Sequence, residues 1–261
     1  METTPSLPND FGGRVVVVTG ASRGIGAAIA GAFAAAKARL VLAGRKMEGL
    51  EAVAELIRGH GGEALPVACH TGRVADVQAL VAKAKEAFGG VDVLVNNAAT
   101  NPHFGPLLDA EESHWDKTFE VNVKGYVHLI RACVPAMRER GGGAIVNVAS
   151  VAGMVPHTGL GVYGVTKAAV LMLTRTLAME LARENIRVNA IAPGLIQTRF
   201  SEALWATPEA RDRALRSIPQ GRMGQPDDLV GAVLYLASDA ASFTTGSVLV
   251  IDGGQTLGGA Y

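Results

Sequence analysis

The chain has 261 residues, 49% hydrophobic but only 5% aromatic and 18% charged, enough for one large α/β domain or two small ones with a core of Ala, Val, Leu and Ile rather than rings. Lys+Arg 24 against Asp+Glu 24 gives a formal net charge of zero, which removes the general footprint that nucleic acid or an anionic membrane needs and leaves room only for a local basic pocket. Cys69 and Cys133 lie far apart with no second Cys or His at metal-ligand spacing, so no disulfide framework and no metal site are expected, and both read as buried thiols.

Residues 1–10 carry neither a basic n-region nor an apolar h-region, so the expected compartment is the cytoplasm. From Arg14 onward, β-branched runs alternate with Ala/Leu-rich helical patterns without a linker, which predicts a single domain over 1–261. The runs Val15-Val16-Val17-Val18, Leu40-Val41-Leu42, Val91-Asp92-Val93-Leu94-Val95, Ala144-Ile145-Val146-Asn147-Val148, Arg187-Val188-Asn189-Ala190-Ile191 and Val248-Leu249-Val250-Ile251 read as strands covered on both faces, with 64–68 a weaker seventh. Helices are predicted near 24–36, 46–58, 74–88, 111–138, 164–183 and 226–238. Asp109-Ala110-Glu111-Glu112 has capping-box spacing, and Pro226 with Asp227 and Asp228 suits a first turn. The uncharged stretch 141–166 is broken by Asn147, Ser150, Pro156 and His157 and reads as protein interior rather than a membrane span.

Right-handed crossovers turn this order into an α/β, doubly wound (Rossmann) parallel sheet of seven strands with helices on both faces, whose ligands bind beyond the carboxyl ends of the strands. The interval 194–225 lacks a clear strand and exceeds an ordinary connection, so a substrate lid is expected at about 195–222.

After the first strand come Thr19-Gly20-Ala21-Ser22-Arg23-Gly24-Ile25-Gly26 and an Ala-rich helix. Glycines there admit a pyrophosphate to a helix N-terminus; a plain Gly-rich turn is the alternative, and the spacing departs from G-x-G-x-x-G. At the end of the second strand an NAD site would carry a carboxylate for the ribose hydroxyls, yet the chain has Ala43-Gly44-Arg45-Lys46. Arg45, with Arg23, is suited to clamp a 2′-phosphate, which favours NADP(H) while leaving NAD(H) open.

Tyr163-Gly164-Val165-Thr166-Lys167 sets a phenol and an ammonium one helical turn apart. To donate a proton at neutral pH the phenol must come down by about three units, roughly 4 kcal/mol, with the ammonium and a cationic nicotinamide as the expected sources. Ser150 follows a strand and can orient a carbonyl, or serve simply as a turn residue. Asn122 sits inside a helical pattern, where Asn is unfavourable, and is expected to bond a kinked backbone or a water. Asn96-Asn97-Ala98 ends a strand, where the amides tie strands together or face the cofactor.

Together these residues resemble the short-chain dehydrogenase/reductase family over about 13–254. Thr19-Gly20-x-x-x-Gly24-x-Gly26, Asn96-Asn97-Ala98, Asn122, Ser150 with Tyr163-x-x-x-Lys167, and Pro193-Gly194 follow the family pattern in order. The resemblance implies hydride exchange between a nicotinamide and a carbonyl or alcohol. Tyr163 is then the acid/base, Lys167 lies on the ribose hydroxyls, Ser150 polarises the carbonyl and Asn122 holds a relay water. It further implies that Ser22, Arg23, Gly24 and Ile25 line the phosphates, that Asn97 and Ala98 lie by the ribose, and that Pro193, Gly194, Ile196 and Thr198 meet the nicotinamide. A strand order 3-2-1-4-5-6-7 and a homotetramer follow from the same source. Cys69-His70, 101–105, Trp115-Asp116-Lys117, 194–201 and Leu204-Trp205 look like the NADP-retinol dehydrogenase/carbonyl reductase branch. His70 departs from the family, standing where relatives have an Asp facing adenine; Lys37 replaces a helix-ending Gly.

Phe104, Met154, Leu160, Leu195, Phe200, Leu204 and Trp205 are expected to wall an apolar substrate pocket, with lid or interface packing as the alternative, and His103 and His157 to sit at its rim. The leading expectation is an NADP(H)-dependent carbonyl reductase or alcohol dehydrogenase acting on a hydrophobic carbonyl or secondary alcohol. The alternatives are a 3-oxoacyl-carrier-protein reductase, against which Met179 replaces a common Arg, and a non-catalytic dinucleotide-binding scaffold. The terminal 258–261 lacks a peroxisomal Ser-Lys-Leu ending.

Overall fold

The computed structural model describes residues 10–257. The expectations drawn from the start of the chain and from 258–261 therefore rest mainly on residues outside the described ones. Seven parallel strands form one sheet in the order β3-β2-β1-β4-β5-β6-β7, as the resemblance implies. They are β1 (Val15–Thr19), β2 (Arg39–Gly44), β3 (Glu63–Ala68), β4 (Val93–Asn96), β5 (Gly143–Val148), β6 (Ile186–Pro193) and β7 (Val248–Ile251). Their alternating side chains divide between two cores. Val16 and Val18 face α1 (Gly24–Ala35), α2 (Met47–Gly59) and α8 (Val230–Ala237), where Phe11 and Phe33 meet edge to face at 4.9 Å. Val15 and Val17 face α3 (Val74–Phe88), α5 (Gly125–Glu139) and the far end of α6 (Gly161–Leu181).

Both cysteines are buried thiols in this second core. Burial pushes Cys69 up to about 11 and Cys133 up to about 12, so neither is a thiolate at neutral pH. Strand β7 is not covered on both faces as expected: at the sheet edge, Val250 is 39% exposed. No helix among the described residues is long and apolar enough to cross a membrane.

Three helical expectations need correction. The single helix predicted over 111–138 is α4 (Glu112–Phe119), a π-helical turn (Glu120–Lys124) and α5. Its cap is Glu111, paired with His114 in a capping box, rather than Asp109, which closes a short 3-10 turn. The helix predicted over 226–238 opens as a 3-10 turn at Pro226–Leu229 before α8. The lid interval contains α7 (Pro208–Arg216), started by Thr207, whose hydroxyl accepts the Ala210 N–H, with proline in the first turn. The two ends of this interval are joined: Gln197 N–H donates to Gly224 C=O at 2.8 Å and Gly224 N–H to Leu195 C=O at 3.0 Å.

Strand order reverses between β1 and β4. In an open parallel sheet this is where the crossovers diverge and leave a crevice at the carboxyl ends. The Gly-rich turn after β1 and the amides after β4 meet there.

Candidate active site

The turn from β1 into α1 closes too tightly for side chains. Gly20 and Gly24 have φ of 65° and 55°, and a Cβ on Gly26 would lie 2.3 Å from the Gly20 carbonyl oxygen. Asn97 fixes this turn from β4, with Nδ2 donating to the carbonyls of Thr19 at 2.8 Å and Gly20 at 3.3 Å. Thr19 Oγ1 in turn accepts the N–H groups of Asn97 and Ala98. Asn97 is thus a brace for the loop as well as a wall of the site. Asn96, by contrast, ties strands: its Nδ2 donates to Asn147 Oδ1 at 2.9 Å, and Asn147 continues to Thr174.

Above this loop lies a cavity of ≈ 470 Å³. Its walls include every residue expected at the cofactor: Gly20, Ser22, Arg23, Gly24, Ile25, Gly26, Arg45, Asn97, Ala98, Tyr163, Lys167, Pro193, Gly194, Ile196 and Thr198. None of the described residues lining it is Asp or Glu, whereas Arg23, Arg45 and Arg199 do line it, and no described carboxylate pairs with any of the three. Arg199 is a lining residue beyond those expected from the sequence; its adjacency to Thr198, itself expected at the nicotinamide, is the sequence signal for it.

Ser150 and Tyr163 share this cavity. Ser150 lies two residues beyond β5 and caps a short 3-10 turn, its Oγ accepting the Ala152 N–H at 3.1 Å, which leaves its own O–H to donate. Tyr163 stands in the first turn of α6, its ring tilted against Phe200 with centroids 5.8 Å apart.

The ammonium of Lys167 does not hydrogen-bond the phenol. Its Nζ donates to Val148 C=O at 2.6 Å and to Tyr126 Oη at 3.4 Å, and lies 5.6 Å from the centre of the Tyr163 ring. Tyr126, fully buried and itself donating to Val148 C=O at 3.1 Å, is a supporting residue the sequence reading passed over.

The expected acidification is correspondingly absent from the chain by itself. Burial pushes Tyr163 up to about 12 against a smaller opposing effect from its hydrogen bond with Ser150, and burial brings Lys167 down to about 7. Desolvation outweighs an ammonium committed to a carbonyl.

Asn122 is buried behind the wall rather than in it. The π-turn aims its amide inward: Oδ1 accepts Thr100 N–H at 2.8 Å, and Nδ2 donates to Thr100 C=O at 3.0 Å and to Thr166 Oγ1 at 3.1 Å. Thr166 in turn donates to Tyr163 C=O at 2.7 Å. Asn122 therefore bonds backbone, as one expectation held, and links the loop after β4 to the helix carrying Tyr163.

Of the expected substrate wall, Phe104, Leu160, Leu195, Phe200 and Leu204 line the cavity; Met154 and Trp205 do not. Met154 follows a 3-10 turn and is 47% exposed. Trp205 is turned back onto its own segment, with Nε1 donating to Ser201 Oγ at 3.1 Å. His157 lines the cavity, while His103 stays outside it, bonded to Pro106 C=O and tilted against His114 with ring centroids 5.2 Å apart. Lys37 adopts the left-handed φ of 65° that a helix-ending glycine would take.

A family model described as "Enoyl-(Acyl carrier protein) reductase" matches residues 20–256. "Dehydrogenase/reductase SDR family member 4" of Oryctolagus cuniculus is 42% identical over 241 residues, 92% of this chain and 93% of that protein. Among solved structures, a short-chain type dehydrogenase/reductase from Mycobacterium marinum matches with a TM-score of 0.87 and 38% identity, covering 96% of this chain and 98% of the other. A gluconate 5-dehydrogenase from Burkholderia cenocepacia, in complex with NADP and tartrate, matches with a TM-score of 0.92 and 33% identity over 97% and 98% of the two chains.

Proposed function

Since the chain belongs to the short-chain dehydrogenase/reductase family and is an NAD(P)-dependent oxidoreductase, we propose that it uses NADP(H) to interconvert hydrophobic carbonyl compounds and secondary alcohols. The observation that carries this reading is the sharing of one cavity by the Gly-rich turn, Ser150, Tyr163 and Lys167.

The site's residues fit a dinucleotide. A Cβ at Gly26 would close the turn that a pyrophosphate must approach. The cavity's three arginines without a lining carboxylate complement the extra phosphate of NADP(H), and the solved Burkholderia relative has NADP bound. Arg23 and Arg45 would hold the 2′-phosphate, and the backbone of 20–26 the pyrophosphate. When bound, the dinucleotide supplies or accepts the hydride.

The chain's own part is to hold the substrate oxygen and move a proton to it. Ser150, whose Oγ is occupied as an acceptor, donates its O–H to that oxygen. Tyr163 gives up its phenolic proton in reduction and recovers one in oxidation. Lys167 keeps a positive charge near neutrality only in part, so anything anionic placed beside Nζ raises its protonated fraction and, with it, the stabilisation of phenolate. Phe104, Leu160, Leu195, Phe200 and Leu204 exclude water and favour an apolar substituent.

The apolar lining supports free hydrophobic carbonyls, and Met179, 77% exposed where the family resemblance leads one to expect an Arg, weighs against a substrate carried on an acidic protein. Val165, Met172 and Met179 leave an exposed apolar stripe on α6, which supports self-association into the homotetramer the family resemblance implies.

The test is Tyr163→Phe assayed with NADPH and a panel of aliphatic, aromatic and retinoid carbonyls. Turnover should fall by at least about a hundredfold, while the NADPH dissociation constant stays within about threefold of wild type. Turnover retained by the variant rejects Tyr163 as the donor, and faster consumption of NADH than NADPH by the wild type rejects the cofactor.

A further inference from the structure

Besides Ser150 and Tyr163, the cavity lining includes two residues with a polar side-chain atom that nothing among the described residues satisfies. Asn101 Oδ1 and His157 Nε2 are both buried without a hydrogen-bond partner, and both residues line the cavity. Buried polar atoms are rarely left in this state, and unpaired ones concentrate where a ligand or an enclosed water completes them.

The two residues come from separate loops that the fold holds side by side. Gly105, four residues after Asn101, bridges in parallel to Leu160, three residues after His157, and Gly105 N–H donates to Gly159 C=O at 3.2 Å. Gly159 has φ of 80°, and a Cβ there would lie 2.8 Å from the Phe104 ring, so the loops are in close contact.

Asn101 is also placed rigidly, since both backbone groups of its neighbour Thr100 are bonded to the Asn122 amide. Burial lowers the His157 imidazole from its ordinary value, so the ring is neutral at physiological pH and offers one N–H and one lone pair. A hydroxyl is both donor and acceptor, and so can give its hydrogen to Asn101 Oδ1 while its oxygen accepts the N–H of His157 in the tautomer protonated on Nε2.

We propose that Asn101 and His157 form a specificity clamp for a hydroxyl group on the substrate, distinct from the reacting oxygen, so that the preferred substrates are hydroxylated hydrophobic carbonyl compounds. This rests on the carbonyl-reductase reading above and narrows its substrate class. An enclosed water held by the same two atoms is the competing occupant.

Two ketone pairs separate these cases: benzylacetone with its para-hydroxyphenyl analogue, and acetophenone with para-hydroxyacetophenone. The wild type should prefer the hydroxylated member of at least one pair by roughly tenfold in kcat/KM. His157→Leu and Asn101→Leu should each erase most of that preference, chiefly through KM, leaving kcat for the unhydroxylated member within about twofold. His157→Gln, which keeps a polar group, should restore part of it and guards against a variant that fails to fold.

Calorimetric binding of each ketone to the NADPH-loaded Tyr163→Phe protein gives the same comparison without turnover. Equal preference in wild type and both leucine variants, or no preference in the wild type by either readout, overturns the clamp and leaves the water as occupant. If the wild type reduces none of the four ketones yet binds the hydroxylated one more tightly in a His157-dependent way, the clamp stands and the carbonyl-reductase reading falls.

Discussion

Lys167 Nζ lies 2.6 Å from the carbonyl oxygen of Val148, the last residue of β5, in a position where the side chain is almost wholly buried. The strand end thereby fixes where the amine sits, and the interior fixes how readily it holds a proton: near pH 7 rather than at its ordinary 10.5.

That shift has a stability consequence with a definite sign. Between about pH 7 and 10.5 the unfolded chain holds a proton on Lys167 that the folded chain has released, so stability rises with pH over this span. Cys69 and Cys133 act in the opposite sense, because their folded values of about 11 and about 12 lie above the ordinary 9.0. Above about pH 9 the two thiols outweigh the one lysine. Stability to urea should therefore climb by about 1–2 kcal/mol from pH 7 to pH 9 and then decline. Lys167→Met should remove the climb and keep the decline. A wild-type profile flat between pH 7 and 9 would show that the amine stays protonated in the fold.

The second prediction concerns cofactor choice. Arg45 lines the cavity at the end of β2, at the position where a carboxylate would serve NAD. Arg45→Asp should weaken NADPH binding by at least about tenfold and strengthen NADH binding, read by fluorescence titration of the two dinucleotides. An unchanged ratio of the two dissociation constants would remove Arg45 from the recognition of the 2′-phosphate.

A third addresses the π-turn. Removing the Asn122 side chain leaves both backbone groups of Thr100 unpaired. Asn122→Ala should cost about 2–3 kcal/mol in urea unfolding. It should also lower kcat/KM, because the tie from the Thr100 loop to α6 is lost, while leaving NADPH affinity within about threefold. If stability falls but kcat/KM is untouched, the link to Tyr163 through Thr166 has no bearing on turnover.

The sheet was legible because each parallel strand, buried on both faces, had to be written as an apolar run, and a crossover helix had to follow it. The same economy hid β7's exposed edge, where Val250 keeps the strand pattern without the cover. Glycine and amide positions at the strand ends were also legible, since backbone closeness leaves few residue types able to stand at Gly26 or Asn97.

What escaped notice depended on three-dimensional partners. The π-turn changes which residue faces inward without altering the local composition around Asn122. The partner of the Lys167 ammonium is a backbone carbonyl and a distant Tyr126, neither of which one-turn spacing to Tyr163 could disclose. Thr207-Pro208-Glu209 carries the start signal of α7, a short helix with no buried residue and hence no apolar face to mark it. Apolar character alone put Met154 and Trp205 in the pocket; turn geometry and an indole hydrogen bond keep them out.

The absence of a lining carboxylate, with three arginines around the cavity, bears on how quickly a ligand arrives as well as on which one stays. On a chain of zero formal net charge, long-range attraction is weak except where field lines converge at this mouth. A polyanion diffusing nearby is favoured at this opening, where three arginines face no lining carboxylate. Dissolved ions blunt that guidance beyond about 10 Å at 0.1 M, so capture speed falls with ionic strength more steeply than residence time does.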